Sequence, residues 1–252
     1  MPASPIAVLS DIHGNRWALE AVLEDIRRRG IRETVNLGDC LYGPLDPAGT
    51  ARILLELDMP TVRGNEDRLL LDEPERHPDS PSLAFCRSQL TPEHLGWLRG
   101  LPFSLNAWNL FLCHGSPLAD DEYLLWDVTA AGAQRRPDAA VSERLAGIDQ
   151  PVVLCGHDHL AARLDLADGR LVVDPGSVGL PAYRDDQPFP HVMETGSPHA
   201  RYSIITRSAA GLAIENVAIA YDHETTAATA ERNGRPDWAL ALRSGRAFME
   251  PT

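Results

Sequence analysis

Five short apolar runs in this chain break off in the same way, each into a carboxylate, an amide or an imidazole. "IAVLS" leads to Asp11 and His13, "TVNL" to Gly38 and Asp39, and "PTVR" to Gly64 and Asn65. "NLFLC" leads to His114 and Gly115, and "VVLC" to Gly156, His157 and His159. A short apolar run with β-branched residues reads as a buried strand, and in α/β sheets ligands sit outside the carboxyl ends of strands. The chain is therefore expected to fold as a layered α/β domain whose strand ends converge on one crevice. Taken singly, Asp11 could cap a helix, Asp39 could sit in a turn and Asn65 could adopt a left-handed conformation. Five such endings together point to one site, and neutral imidazole is the commonest metal ligand.

Between these runs lie amphipathic stretches. "RWALEAVLEDIRRRG" reads as a helix closed by Gly30, "DPAGTARILLELD" as a second, and "TPEHLGWLRGLP" as a third with start signals at Thr91 and Pro92 and stops at Gly100 and Pro102. "PTVRGNED" reads as a third strand. "FSLNAWNLFLCHG", "AARLDLADGRLVVDPGS" and "ARYSIITRSAAGLAIENVAIA" read as hairpins. No repeat or linker divides the chain, so residues 1–252 are expected to form one domain. Residues 73–90 and 183–200 are candidate lid insertions, the first a proline-rich loop with a short helix, and residues 221–252 a C-terminal helical tail.

Composition removes several alternatives. The formal net charge is −13, and all 23 basic residues are arginine. Without lysine there is no P-loop lysine, no Schiff base and no Ser-Lys dyad. The acidic balance disfavours a nucleic-acid or anionic-membrane surface, because that affinity needs clustered positive charge. No apolar run is long enough to span a membrane and the N-terminal residues lack a secretory pattern, so a cytoplasmic location is expected. Cys40, Cys86, Cys113 and Cys155 form no C-x-x-C pair and read as reduced core residues.

The ordered set D-x-H, G-D, G-N-x-[DE], H-G and G-H-x-H, covering residues 11 to 159, resembles that of the calcineurin-like metallophosphoesterases. "GDCLYGP", "RGNED" and "DPGSVGLP" at residues 174–181 are similar to loops of its small bacterial and archaeal phosphodiesterases. The resemblance implies a four-layer αββα sandwich, two packed sheets flanked by helices, with a dinuclear metal centre at the strand ends. It makes Asp11, His13 and His159 ligands of one ion, Asn65, His114 and His157 ligands of the other, and Asp39 the bridge. A donor set of carboxylate, amide and imidazole without thiolate suits Mn, Fe, Co, Ni or Zn, with Mn favoured. Two such ions about 3.5–4 Å apart can hold a hydroxide for in-line attack at phosphorus.

The implied activity is hydrolysis of phosphodiesters in a small phosphoester or nucleotide substrate. The nearest variant is an acid-anhydride hydrolase acting on dinucleoside polyphosphates. A subunit of the eukaryotic retromer coat shares the fold as a protein-interaction scaffold with a degraded site, whereas every ligand position here carries a competent residue. A monomer and a homo-oligomer are both compatible with the sequence.

One position departs from the fuller family pattern. Where G-N-H-[DE] places a histidine that protonates the leaving oxygen, this chain has Glu66. A glutamate could serve as general acid if burial or a neighbour such as Asp67 raised its pKa; base rates for charged residues favour a solvated helix-start residue. Arg16, Arg63 and Arg68 are candidate phosphate contacts and Tyr42 a candidate base-stacking residue, with solvation or core packing as the plainer roles. Asn15 could face phosphate or cap a helix, and Asp158 could support its flanking histidines. His191 and His199 read as residues of a surface loop, and His77, His94 and His223 as structural.

Overall fold

The computed structural model describes residues 5–72, 80–208 and 211–248. Its frame is two sheets. In the first, β1 (Ile6–Leu9) runs parallel to β2 (Glu33–Asn36) and antiparallel to β12 (Ala200–Ser208), which pairs with β13 (Gly211–Ile219). The second has the order β3 (Ser104–Ala107), β4 (Leu110–Cys113), β7 (Val152–Leu154), β9 (Leu171–Asp174) and β8 (Ala162–Asp165). Strands β4, β7 and β9 run parallel, so their carboxyl ends share one edge.

Alternation along the strands builds the layers, because successive side chains point to opposite faces. Ile6 and Val8 of β1 join Val35, Leu110, Leu112, Val152, Leu154, Val173 and Ile205 in a core between the sheets. Ala7 and Leu9 point the other way, onto Ala18, Leu19, Val22 and Ile26 of α1 (Arg16–Arg28). The three-to-four-residue spacing of that stripe is what makes α1 a surface helix with one buried face. Helices α2 (Pro47–Glu56), α4 (Pro81–Gln89) and α5 (Pro92–Gly100) complete this layer through Leu54, Leu83, Cys86 and Leu98. On the far side, Phe111, Cys113, Val153 and Val172 pack with Val141 of α6 (Asp138–Arg144) and with Leu145. The result is the expected αββα sandwich. All four cysteines are buried and unpaired. Among the described residues, no helix is long and apolar enough to cross a membrane.

Several expectations are corrected. "PTVRGNED" contributes a single bridge, Asn36 to Thr61, and then turns at Gly64 into α3 (Asn65–Leu71). Pro60 has no N–H to continue a ladder, which leaves no room for a strand. Residues 183–200 hold a hairpin rather than a loop, β10 (Ala182–Asp185) against β11 (His191–Glu194). His191 in it is 2% exposed, not superficial. A further hairpin, β5 (Trp126–Thr129) with β6 (Gly132–Arg135), lies where the sequence carried no assigned element. The 73–90 insertion has its short helix in α4, while residues 73–79, with His77, lie outside the described residues. The tail forms α7 (His223–Arg232) and α8 (Pro236–Ser244), which pack through Ala227, Ala230, Trp238 and Leu242 onto Leu45, Leu180 and Ala182.

Candidate metal centre

The loops after β1 and β2 run side by side beyond their strands. Asp11 N donates to the Gly38 carbonyl at 3.0 Å, His13 N to the Asp39 carbonyl at 2.9 Å, and Gly14 N to the Cys40 carbonyl at 3.0 Å. The second sheet is tied to them where Gly156 N donates to the His114 carbonyl at 2.7 Å and His157 N to Asp11 Oδ2 at 3.2 Å. The five motifs thus meet between the two sheets.

They meet with strained backbones. Asp11, His13, Asp39, His157 and His159 have φ of 55°, 52°, 51°, 73° and 63°, in the left-handed region that non-glycine residues rarely adopt. Five of the seven expected ligands are held this way, and such strain persists only where the surroundings over-determine it. It turns side chains that a regular strand would alternate toward one space.

Three histidines are locked by their outer nitrogens. Nδ1 of His13, His114 and His159 faces the carbonyl of Tyr42 at 3.2 Å, Leu37 at 2.8 Å and Leu180 at 2.7 Å. A carbonyl only accepts, so each Nδ1 carries hydrogen and a neutral ring keeps its lone pair on Nε2. His13 Nε2 and His159 Nε2 then lie 3.0 Å apart, with Asp11 Oδ1 3.3 Å from the latter. Asp11 Oδ1 is buried without a hydrogen-bond partner. His114 Nε2 lies 2.9 Å from Asn65 Oδ1 and 3.3 Å from Asp39 Oδ2. Lone pairs converging this closely require a proton or a cation between them, and the donor chemistry fits borderline divalent ions.

The donors fall into groups, Asp11 with His13 and His159, and Asp39 with His114 and His157. Asp39 also groups with His13 and Glu66, so its carboxylate links its own set to His13 of the first. Without cations the charges pair among themselves. Burial disfavours the Asp11 anion, yet His159, His114 and His13 outweigh it and hold this carboxyl far below its ordinary range. Burial likewise opposes the His114 and His13 imidazoliums, but Asp39 pushes the first up to about 10 and Glu66 the second up to about 9. His157 goes the other way, to about 4, through burial and the neighbouring His114.

Residues 5–195 match the calcineurin-like phosphoesterase superfamily domain. The chain belongs to this superfamily. It is 27% identical to the uncharacterized protein MJ0912 of Methanocaldococcus jannaschii, over 94% of this chain and 96% of that one. A metallophosphoesterase from Sphaerobacter thermophilus superposes with a TM-score of 0.72 at 24% identity, covering 94% of this chain and 98% of its own. The hypothetical protein PH1004 from Pyrococcus horikoshii OT3 gives 0.74 at 21%, covering 97% and 99%. Both share the fold.

In this phosphoesterase-superfamily chain the centre opens into a cleft of about 620 Å³. Glu66 lines it and is 24% exposed, so the solvated helix-start reading does not describe it. Its Oε2 lies 3.0 Å from His13 Nδ1, beside the bond that nitrogen makes to Tyr42, and burial pushes its carboxyl up to about 7. Tyr42 also lines the cleft. Arg16, Arg63 and Arg68 do not: Arg16 pairs with Asp46 and Glu20, and Arg68 grips Asp120 with two bonds of 2.8 Å. Asn15 caps α1 and donates to the Gly179 carbonyl, its plainer role. His94 completes the cap of α5, and His223 opens α7. Half-buried His199 contacts Ser197 Oγ at 2.5 Å. Asp158 is buried near Asp174; burial raises both carboxyls, the first to about 7.

The sequence reading missed the cleft's outer wall. Tyr183, Arg184 and Asp185 come from β10, and Arg235, Asp237 and Trp238 from the start of α8 and its cap. These follow the last motif and share no spacing with it, so no local pattern could have marked them.

Gly64 is a further control point. A Cβ there would collide with the backbone and carboxylate of Asp39. Gly64→Ala is expected to displace that carboxylate, with a cost of about 1–3 kcal/mol from overpacking. Thermal unfolding and metal analysis should show a loss of bound ion larger than the loss of stability suggests.

Proposed function

We propose that this protein is a binuclear metal-dependent phosphodiesterase. The observation that carries the reading is the convergence of seven O and N donors from four strand ends and the start of α3, five of them on left-handed backbone. In this reading Asp11, His13 and His159 hold one ion, Asn65, His114 and His157 the other, and Asp39 both; manganese suits the donor set, as do Fe, Co, Ni and Zn. Two divalent ions held there would polarise phosphoryl oxygens and acidify water. The chain's own residues do the rest. The Leu37 carbonyl holds His114 Nδ1, so that Nε2 faces the same point as Asn65 Oδ1 and Asp39 Oδ2. Glu66 presents a carboxyl to the cleft, where it can hold a proton for a departing oxygen.

A substrate with one phosphate is favoured over a polyphosphate chain. The cleft's outer cations, Arg184 and Arg235, are already paired with Asp186 and Asp237, and Asp185 adds a further negative charge. The acidic chain supports a small soluble substrate rather than nucleic acid or membrane. A cytoplasmic setting belongs to the same proposal.

Activity is expected to vanish on stripping with a strong chelator and return with Mn²⁺, read on an activated aryl diester, a monoester and a dinucleoside polyphosphate. Unchanged turnover after elemental analysis confirms metal loss would reject the proposal. Two further readouts follow. Saturation at 100 times Kd should stabilise the fold by about 2.7 kcal/mol per ion. Because His13 and His114 hold protons in the metal-free site up to about 9 and 10, binding must release them. Affinity should therefore rise from pH 6 to pH 8, with proton release detectable in a buffer-dependent titration heat.

A further inference from the structure

His157 is held differently from its three companions. His13, His114 and His159 each rest Nδ1 on a main-chain carbonyl, the contact that sets tautomer and ring plane in metal-binding imidazoles. His157 has no such carbonyl among the described residues. The face of Tyr123 covers it instead, centroid to centroid 4.7 Å with 30° between planes. Tyr183 meets the neighbouring His159 ring at 4.6 Å and 64°.

The two tyrosines are bonded into one chain. Tyr183 Oη lies 2.6 Å from Tyr123 Oη and 3.0 Å from the His157 carbonyl, and Tyr123 Oη lies 3.0 Å from His191 Nε2. His191 Nδ1 is 2.8 Å from the Phe189 carbonyl. A carbonyl only accepts, so His191 Nδ1 carries hydrogen and Nε2 is placed to accept from Tyr123 O–H. Tyr123 then accepts from Tyr183, whose O–H is shared with the His157 carbonyl. The chain starts in the β10–β11 hairpin and ends on the left-handed backbone of His157, with Tyr123 8% and His191 2% exposed.

We propose that Tyr123 and Tyr183 are positioning residues for His157: the Tyr123 ring fixes the imidazole plane and the Tyr183 hydroxyl fixes the backbone beneath it. The β10–β11 hairpin is then a buttress of the metal centre rather than a lid. This rests on the two-metal reading above.

The test is calorimetric titration of the metal-stripped protein with Mn²⁺, with the electron paramagnetic resonance spectrum recorded at saturation. The native chain should bind two ions with a coupled spectrum. Tyr123→Phe keeps the ring and should stay within about threefold in both affinities, while Tyr123→Leu should weaken one ion about 10–100-fold and leave the other unchanged. At subsaturating metal its spectrum should be that of isolated Mn²⁺. A role confined to general stability would lower the melting temperature without separating the two affinities. If circular dichroism shows Tyr123→Leu unfolded, Tyr123→Met, whose unbranched side chain adapts to an irregular space but has no flat face, takes its place. Tyr183→Phe should weaken the same ion as Tyr123→Leu. Native-like binding by the leucine or methionine variant, or an equal loss in Tyr123→Phe, overturns the assignment to the ring. A native chain that binds no Mn²⁺ rejects the two-metal reading itself.

Discussion

Asp39→Asn is expected to keep the fold and lose the activity. The substitution is nearly isosteric, and asparagine tolerates the left-handed φ of 51° better than most residues. It can still accept from Glu66 N, the 2.9 Å bond that Asp39 Oδ1 makes now, and its carbonyl still receives His13 N. What it removes is the charge that links the donor sets, 3.3 Å from His114 Nε2. The side-chain amide can instead aim two hydrogens at a position where a cation would sit. Loss of partners that only orient metal ligands costs about 10–100-fold in affinity or activity, and loss of a shared ligand should exceed that. Elemental analysis should show fewer than two ions per chain, and turnover should fall by more than about 100-fold. Circular dichroism of the metal-free forms should coincide. Retention of both ions with near-normal turnover would show that another group joins the two sets.

The centre was legible in the sequence because four of its five motifs follow directly on strands whose burial is itself legible. Leu110 to Cys113 and Val152 to Leu154 can only be interior strands, so His114 and His157 must emerge at the same edge. The left-handed backbone was not legible, since only glycine signals positive φ strongly, and aspartate and histidine, though enriched there among other residues, mostly adopt negative φ. "PTVRGNED" misled because its apolar start resembles a strand, while the bonds that decide it involve Pro60 and a distant Asn36. The outer cleft was hidden for a similar reason. Trp238 reaches His13, with ring centroids 5.8 Å apart, only because α8 packs on Leu180 and Ala182, a tertiary fact without a local signature. His191 looked superficial among prolines and acidic residues, yet Tyr123 draws it inside.

Glu66→Gln separates the two roles open to the residue that stands where the family's histidine would be. Were it a solvated helix-start residue, the change would be neutral on every substrate. The carboxyl instead lines the cleft, lies 3.0 Å from His13 Nδ1, and has a buried Oε2 without a hydrogen-bond donor. Burial, the largest influence, raises it to about 7 against the opposing pull of His13. Below that pH the group carries the proton that a poor leaving group needs, and as pH rises it loses it. Cations bound next to it favour the ionised form, so the limb in the loaded enzyme falls at or below about 7. Glu66→Gln cannot donate an acidic proton, so turnover of an alkyl diester should drop about 100-fold, at the low end of general-acid contributions, and its high-pH fall should flatten. Nitrophenyl-type diesters, whose leaving group departs without protonation, should change by less than about threefold. Glu66→His should restore the alkyl rate in part, with a limb moved toward the imidazole range. Equal losses on both substrate types at unchanged metal content would make Glu66 a support of His13 rather than an acid.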